Sequence, residues 1–169
     1  MGEVSKISLL STSHGTEVFD CGDDDLNFWL KNKALVAQLS RTARTYVLTD
    51  NEQVLGYYTL SLGRVGRKEL PRAMRRDMPG HPIPLVLLAR LAVDTSMQGR
   101  GVGKALVKDA FNKGLEVARI AGGIGLFVEA KSPEVEAFYV QLGFLKQSTL
   151  GDKLFLPYPR VTDASRNNS

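Results

Sequence analysis

LARLAVDTSMQGRGVGK, residues 88–104, is the stretch on which the reading of this chain turns. It opens inside the run 85–93, LVLLARLAV, whose nearly continuous apolar character predicts a central strand buried on both faces. It ends where residues 102–119 predict an amphipathic helix. Leu106, Val107, Ala110, Phe111, Leu115 and Ala118 form the apolar stripe, and Lys104, Lys108, Asp109, Asn112 and Glu116 the polar face. Between them lies Gln98-Gly99-Arg100-Gly101-Val102-Gly103. Backbone N–H groups at a helix N-terminus, next to glycines without side chains, make a cradle for a pyrophosphate. Glycine rhythm alone also fits a dinucleotide-binding turn or an ordinary tight turn. This turn lacks the Lys-Ser/Thr ending of a triphosphate loop and comes too late in the chain for a dinucleotide fold.

Upstream, residues 23–39 predict a first helix, with Leu26, Trp29, Leu30 and Ala34 at helical spacing and Asp23 to Asp25 at its N-terminus. Residues 44–49 and 54–62 predict an antiparallel hairpin turning at Asp50-Asn51-Glu52. From 63 to 84 the periodicity fails, and Pro71, Pro79, Pro82 and Pro84 disfavour any long element, with room for a short helix within 69–77. Downstream come a buried strand (124–130) and a helix opened by Ser132-Pro133-Glu134 and closed at Gly143. Two short strands follow, 144–148 and 153–157. This order predicts one α/β domain over residues 1–160, a central mixed sheet flanked by helices, with a polar tail at 161–169.

At 169 residues, with 43% hydrophobic and 24% charged residues, the chain has the make-up of a soluble globular domain. No run approaches a membrane span, no secretory leader is visible, and one cysteine fits a reducing cytoplasm. Two distant histidines and one cysteine argue against a metal site. His14 and His81 read as surface residues, Cys21 and Trp29 as core packing. The net charge is +4, unevenly spread. Glu17, Asp20, Asp23, Asp24 and Asp25 form an acidic stretch; Arg64, Arg67, Lys68, Arg72, Arg75 and Arg76 form a basic one broken only by Glu69. The basic cluster suits an anionic partner, and equally a solvated loop.

Residues 88–104 resemble the acetyl-CoA motif of the GNAT superfamily, with Gln98, Gly101 and Gly103 at its defining positions. Phe138-Tyr139-Val140-Gln141-Leu142-Gly143-Phe144 is similar to the segment that closes the cofactor site in that family, except that Val135 stands where alanine is usual, a departure expected to matter little. The resemblance covers residues 54–157. It implies the GNAT acyl-CoA N-acyltransferase fold and acetyl-CoA as co-substrate, with no metal. The pantetheine arm would lie along Leu91, Ala92 and Val93, and the pyrophosphate on Gln98, Gly99, Arg100, Gly101, Val102, Gly103 and Lys104. It also implies Tyr139 as the acid that protonates the departing thiolate, a role its ordinary pKa near 10 suits. By itself Tyr139 also reads as an aromatic core residue. No general base stands out; Glu129 is a candidate, and reads equally as a surface carboxylate.

A narrower resemblance spans nearly the whole chain. Phe19-Asp20-Cys21-Gly22, Arg44-Thr45-Tyr46, residues 55–60, residues 88–94 and residues 125–130 look like the GNAT toxins of bacterial type II toxin–antitoxin pairs. That resemblance implies acetylation of the free α-amine of an aminoacyl-tRNA, which blocks translation. It also implies a homodimer, a ribbon-helix-helix antitoxin, and contact with operator DNA only through the toxin–antitoxin complex. Lys31, Lys33, Arg41, Arg44, Arg72, Arg75 and Arg76 are the cations that would meet tRNA phosphates. Two other readings stay open: a GNAT acting on a small amine or a protein N-terminus, and a non-catalytic RNA-binding domain of the same fold.

Overall fold

The apolar run at 85–93 lies at the centre of a seven-stranded sheet. A computed structural model of the protein describes residues 6–160; the tail expected at 161–169 lies outside the described residues. The strands are β1 (Ser8–Leu9), β2 (Arg44–Asp50), β3 (Gln53–Val65), β4 (Ile83–Val93), β5 (Gly125–Glu129), β6 (Leu145–Lys146) and β7 (Lys153–Pro157). Their order in space is β1-β2-β3-β4-β5-β7-β6, and every pairing is antiparallel except β4 with β5. The helices are α1 (Asp24–Asn32), α2 (Ala34–Leu39), α3 (Arg72–Arg75), α4 (Val102–Ala121) and α5 (Pro133–Gln141). The mixed sheet with flanking helices is the expected architecture.

Two packed layers cover the sheet. On one face Leu106, Val107 and Ala110 of α4 and Tyr139 of α5 close over Tyr58, Leu60, Val86, Leu88, Leu126 and Val128. On the other, Leu30 and Ala34 of α1 and α2 pack with Phe19, Val47, Tyr57 and Ala92. A third cluster, built on Val65, Leu70, Ile83, Phe127 and Phe155, fills the end of the sheet where β4 begins.

Three local details differ from the sequence reading. The helix expected over 23–39 breaks at Lys33 (φ −121°, ψ −31°), where the Asn32 side-chain amide donates to the Phe28 carbonyl and competes with the helical ladder. The irregular segment is shorter than expected: β3 runs on to Val65, paired with Ile83, and Pro84 is tolerated as the second residue of β4. What remains, residues 66–82, is organised from within. Arg75 donates to the carbonyls of Leu70 (2.7 Å) and Lys68 (3.1 Å), Arg67 donates to the carbonyl of Arg75, and Leu70 is fully buried. The two-residue β1 carries too little pattern to be seen in sequence.

The feature that positions the site is a bulge in β4. Thr59 pairs with Arg90 and Leu60 with Leu88, so Ala89 is an extra residue without a partner on β3. The insertion changes parity. Val86 and Leu88 face the α4 layer before it; Leu91 and Val93 face that layer after it, and Ala92 faces α1. Pairing with β5 stops at the same place, at Leu88 with Val128. From Ala89 onward the β5-facing edge of β4 is therefore unpaired.

Candidate active site

The turn after β4 is made by backbone conformation. Gly99 and Gly101 have φ of +76° and +81°, in the left-handed region that side chains with a Cβ disfavour. Gly101 is the N-cap of α4 and offers no side chain to the helix, so among the described residues no side chain caps the first N–H groups of this 20-residue helix, whose first residues line a cleft. Gly103 serves packing instead: a Cβ there would come within 3.3 Å of the Phe138 ring, so its absence lets α5 close on α4.

Side chains from far upstream hold this turn. Gln98 donates from Nε2 to the carbonyls of Val93 and Cys21, both at 2.9 Å. The Asp94 carboxylate accepts from the Asp20 N–H (3.0 Å), the Ser96 N–H (3.0 Å) and the Ser96 hydroxyl (2.7 Å). Partial burial opposes ionisation of Asp94, but those hydrogen bonds outweigh it and hold its carboxyl below the ordinary value. Asp20 is likewise lowered, by the Gly22 N–H and then by the Asn27 side chain. Gln98, counted in sequence as a pyrophosphate contact, therefore also ties the turn to the Phe19–Gly22 segment.

Two clefts meet beside β4. The first, about 580 Å³, lies on the α4 side and is lined by Leu91, Ala92, Val93, Met97, Gln98, Gly99, Gly101, Val102, Gly103 and Lys104, with Glu134, Val135, Phe138 and Tyr139 contributed by α5. All of the expected cofactor residues but Arg100 line it. Arg100 is exposed within the same turn. The second cleft, about 260 Å³, opens toward α1 between Asp23, Leu26, Ala89 and Arg90 on one side and Val128, Glu129, Lys131 and Ser132 on the other. Leu91, Val135 and Tyr139 line both. Val135, the departure expected to matter little, is thus part of the shared wall.

Tyr139 is 3% exposed and lies between Phe138 and Phe144, each ring edge-on at 5.1 and 5.2 Å between centroids. Burial pushes its phenol well above the ordinary value, so it holds its proton at neutral pH. Its hydroxyl makes no hydrogen bond among the described residues. Glu129 ends β5 with an exposed side chain at the second cleft. No cluster of His, Cys, Asp and Glu able to hold a metal occurs among the described residues.

The basic residues do not form one patch around the clefts. Arg64 pairs with Pro84 at the start of β4, whereas the clefts border β4 from Leu88 to Val93, roughly 13 to 30 Å further along at about 3.3 Å per residue. Arg72 and Arg76 are exposed on that distant segment, and Arg75 is turned inward onto carbonyls. Lys31 and Lys33 are exposed at the end of α1, whose first turn borders the second cleft. Arg41 (φ +61°) and Arg44 border a separate cleft of about 470 Å³ between the start of β2 and the end of α4.

The acetyltransferase (GNAT) domain family matches residues 41–146. The chain belongs to the GNAT acetyltransferase family. Among its relatives is a tRNA-acetylating toxin of Mycobacterium tuberculosis, 35% identical over 135 residues, covering 80% of this GNAT chain and 81% of the relative. Solved structures similar to it include AtaT complexed with acetyl-methionyl-tRNAfMet (TM-score 0.84, 35% identity, 90% of this chain and 94% of the other). A mutant AtaT toxin bound to the C-terminus of the antitoxin AtaR and acetyl-CoA also matches (TM-score 0.73, 35% identity, 90% and 92%), as does a KacTA–DNA complex (TM-score 0.73, 34% identity, 90% and 92%).

The residues that sequence reasoning missed belong mostly to the second cleft. Asp23 and Leu26 read as helix start and helix face, and Arg90 as part of an apolar strand. One signal was available: an arginine inside LVLLARLAV is out of place in a strand buried on both faces.

Proposed function

We propose that this chain is the toxin of a type II toxin–antitoxin pair and transfers the acetyl group of acetyl-CoA to the α-amine of an aminoacyl-tRNA. The observation that carries the reading is that Leu91, Val135 and Tyr139 line both clefts, so a donor on the α4 side and an acceptor on the α1 side meet at one buried phenol. The donor cleft suits acetyl-CoA because the uncapped N-terminus of α4 offers N–H groups to a pyrophosphate and the edge of β4 beyond Ala89 offers N–H and C=O groups to an extended arm. Acetyl-CoA supplies the activated acyl group and a thiolate that must leave.

The chain's own groups do the rest. Tyr139, kept protonated by burial, is the proton source on the donor side. The acceptor cleft is open to water and bordered by the exposed Glu129, so an amine can shed its proton there. An aminoacyl ester lowers the pKa of its amine relative to that of lysine, so a neutral nucleophile is available without a strong base. The choice of tRNA as carrier is supported by the tRNA-acetylating relative and the tRNA-bound neighbour. Lys31 and Lys33, exposed at the end of α1, are assigned to an acceptor stem entering from the α1 side, and Arg41, Arg44, Arg72 and Arg76 to phosphates further away.

We also propose a cytoplasmic homodimer, held by a ribbon-helix-helix antitoxin and brought to operator DNA through it. Antitoxin- and DNA-bound neighbours support the last two partners. Among the described residues no helix is long and apolar enough to cross a membrane. Incubation with labelled acetyl-CoA and total charged tRNA, followed by sequencing of the labelled species, tests the central reading. Label on the aminoacyl group of particular tRNAs is expected. Label only on proteins or small amines would overturn it.

A further inference from the structure

Arg90 is a half-buried cation without an anion. Among the described residues it donates no hydrogen bond and takes no part in an ion pair. Its guanidinium lies 4.3 Å from the centroid of Trp29. Trp29 in turn stacks on Tyr57 (6.2 Å, 17°), and Tyr57 is fully buried, edge-on to Phe19 and hydrogen-bonded from its hydroxyl to the Leu26 carbonyl at 2.7 Å. The guanidinium thus rests on a pillar of aromatic rings rising from the core. A cation held on a ring face keeps its N–H groups in the plane, free at the edge to donate in a bidentate way. Arg90 lines the acceptor cleft.

Arg90 does not sit beside the reacting atoms. It follows the Ala89 bulge and precedes Leu91, so the two consecutive side chains point to opposite faces: Leu91 toward Tyr139, Arg90 toward α1. Its partner is therefore a part of the acceptor displaced from the amine by about the thickness of the strand. In an aminoacyl ester of a nucleotide the carboxyl group is esterified, and the remaining anion with two free oxygens is the phosphate on the terminal nucleoside. We infer that Arg90, stacked on Trp29, is the residue that binds the terminal phosphate of the acceptor and makes the enzyme select a 3′-aminoacylated nucleotide over an uncharged amine. This rests on the proposed acceptor class.

The test compares two small acceptors, a 3′-aminoacyl adenosine and the same ester of adenosine 5′-monophosphate, with the full-length protein. Wild type is expected to prefer the phosphate-bearing ester by about tenfold or more in kcat/KM, the scale of a charge-assisted hydrogen bond. Arg90→Gln should abolish that preference, lowering kcat/KM for the phosphate-bearing ester about tenfold or more beyond any loss on the unphosphorylated one, with the affinity for acetyl-CoA, read by calorimetry, retained. Arg90→Lys should keep part of the preference, and Trp29→Leu should reduce it with the arginine still present. Equal loss on both esters in Arg90→Gln, or a preference that survives it, would overturn the assignment. Wild-type acetylation of charged tRNA with neither ester accepted would also overturn the assignment, because the terminal phosphate would then not secure the acceptor; failure on charged tRNA as well would sink the acceptor reading itself, a distinct outcome.

Discussion

The two clefts beside β4 are built in opposite ways. The α4-side cleft comes mostly from one contiguous stretch, residues 91–104, whose backbone gives it the edge of β4, two glycines at positive φ and the uncapped start of a helix. The α1-side cleft is assembled from separate segments, the start of α1, the bulged part of β4, the end of β5 and α5, and its Arg90 rests on a tryptophan–tyrosine stack. A backbone site is generic, since peptide groups are the same in every protein, and it suits an invariant donor. A side-chain site can vary with the acceptor. The donor half should thus fail when backbone conformation is disturbed, and the acceptor half when individual charges are changed.

The largest effect is expected where the halves meet. Tyr139→Phe should lower kcat by about 10²–10⁴-fold, the span of general-acid catalysis, with acetyl-CoA affinity unchanged by calorimetry. Because burial raises the phenol, the wild-type pH–rate profile should show no falling limb from Tyr139 near its ordinary value of 10. Near-normal turnover of the variant would remove Tyr139 as the proton source. Next, Gly101→Ala forces a left-handed conformation costing about 1–2 kcal/mol, so acetyl-CoA should bind roughly 5- to 30-fold more weakly while charged tRNA binds as before. Equal loss for both ligands would mean that the two halves are not separable.

A smaller effect separates the basic residues. Arg72→Glu with Arg76→Glu should weaken tRNA binding in a salt-sensitive way, lowering the slope of log affinity against log salt by about 2 and leaving thermal stability intact. Arg75→Glu should instead lower the melting temperature, because Arg75 satisfies the Lys68 and Leu70 carbonyls. A flat tRNA titration for the double variant would exclude this distant segment from the landing surface.

The smallest effect concerns acid. Asp20 and Asp94 sit below the ordinary value near 3.8 in the folded chain, so their ionised forms favour the ordered turn. That contribution is complete above the unfolded value and disappears as pH falls through the folded ones. Acetyl-CoA affinity should therefore hold down to about pH 4 and drop below it, and Asp94→Asn should bind more weakly already at pH 7. An identical acid profile in that variant would show that Asp94 does not order the turn.

What the sequence determined by itself is the α4-side cleft. Periodicity places the buried strand and the amphipathic helix, and a glycine turn between them is a local property of consecutive residues, so residues 88–104 could be read without knowing their neighbours. Ser132-Pro133-Glu134 announced α5 in the same local way, and with it the helix that carries Tyr139. The α1-side cleft was illegible because it is a matter of what the chain brings together. Ala89 flips the facing of every residue after it, the pairing of β4 with β5 ends at Leu88, and Trp29 meets Arg90 across sixty-one positions of sequence. Side-chain periodicity in a strand counts residues, and one unpaired residue resets the count; only the register against β3 reveals it. The same reason separates Arg75 from Arg72 and Arg76: in sequence they are one basic run, and only the folded segment shows which cation the backbone has claimed.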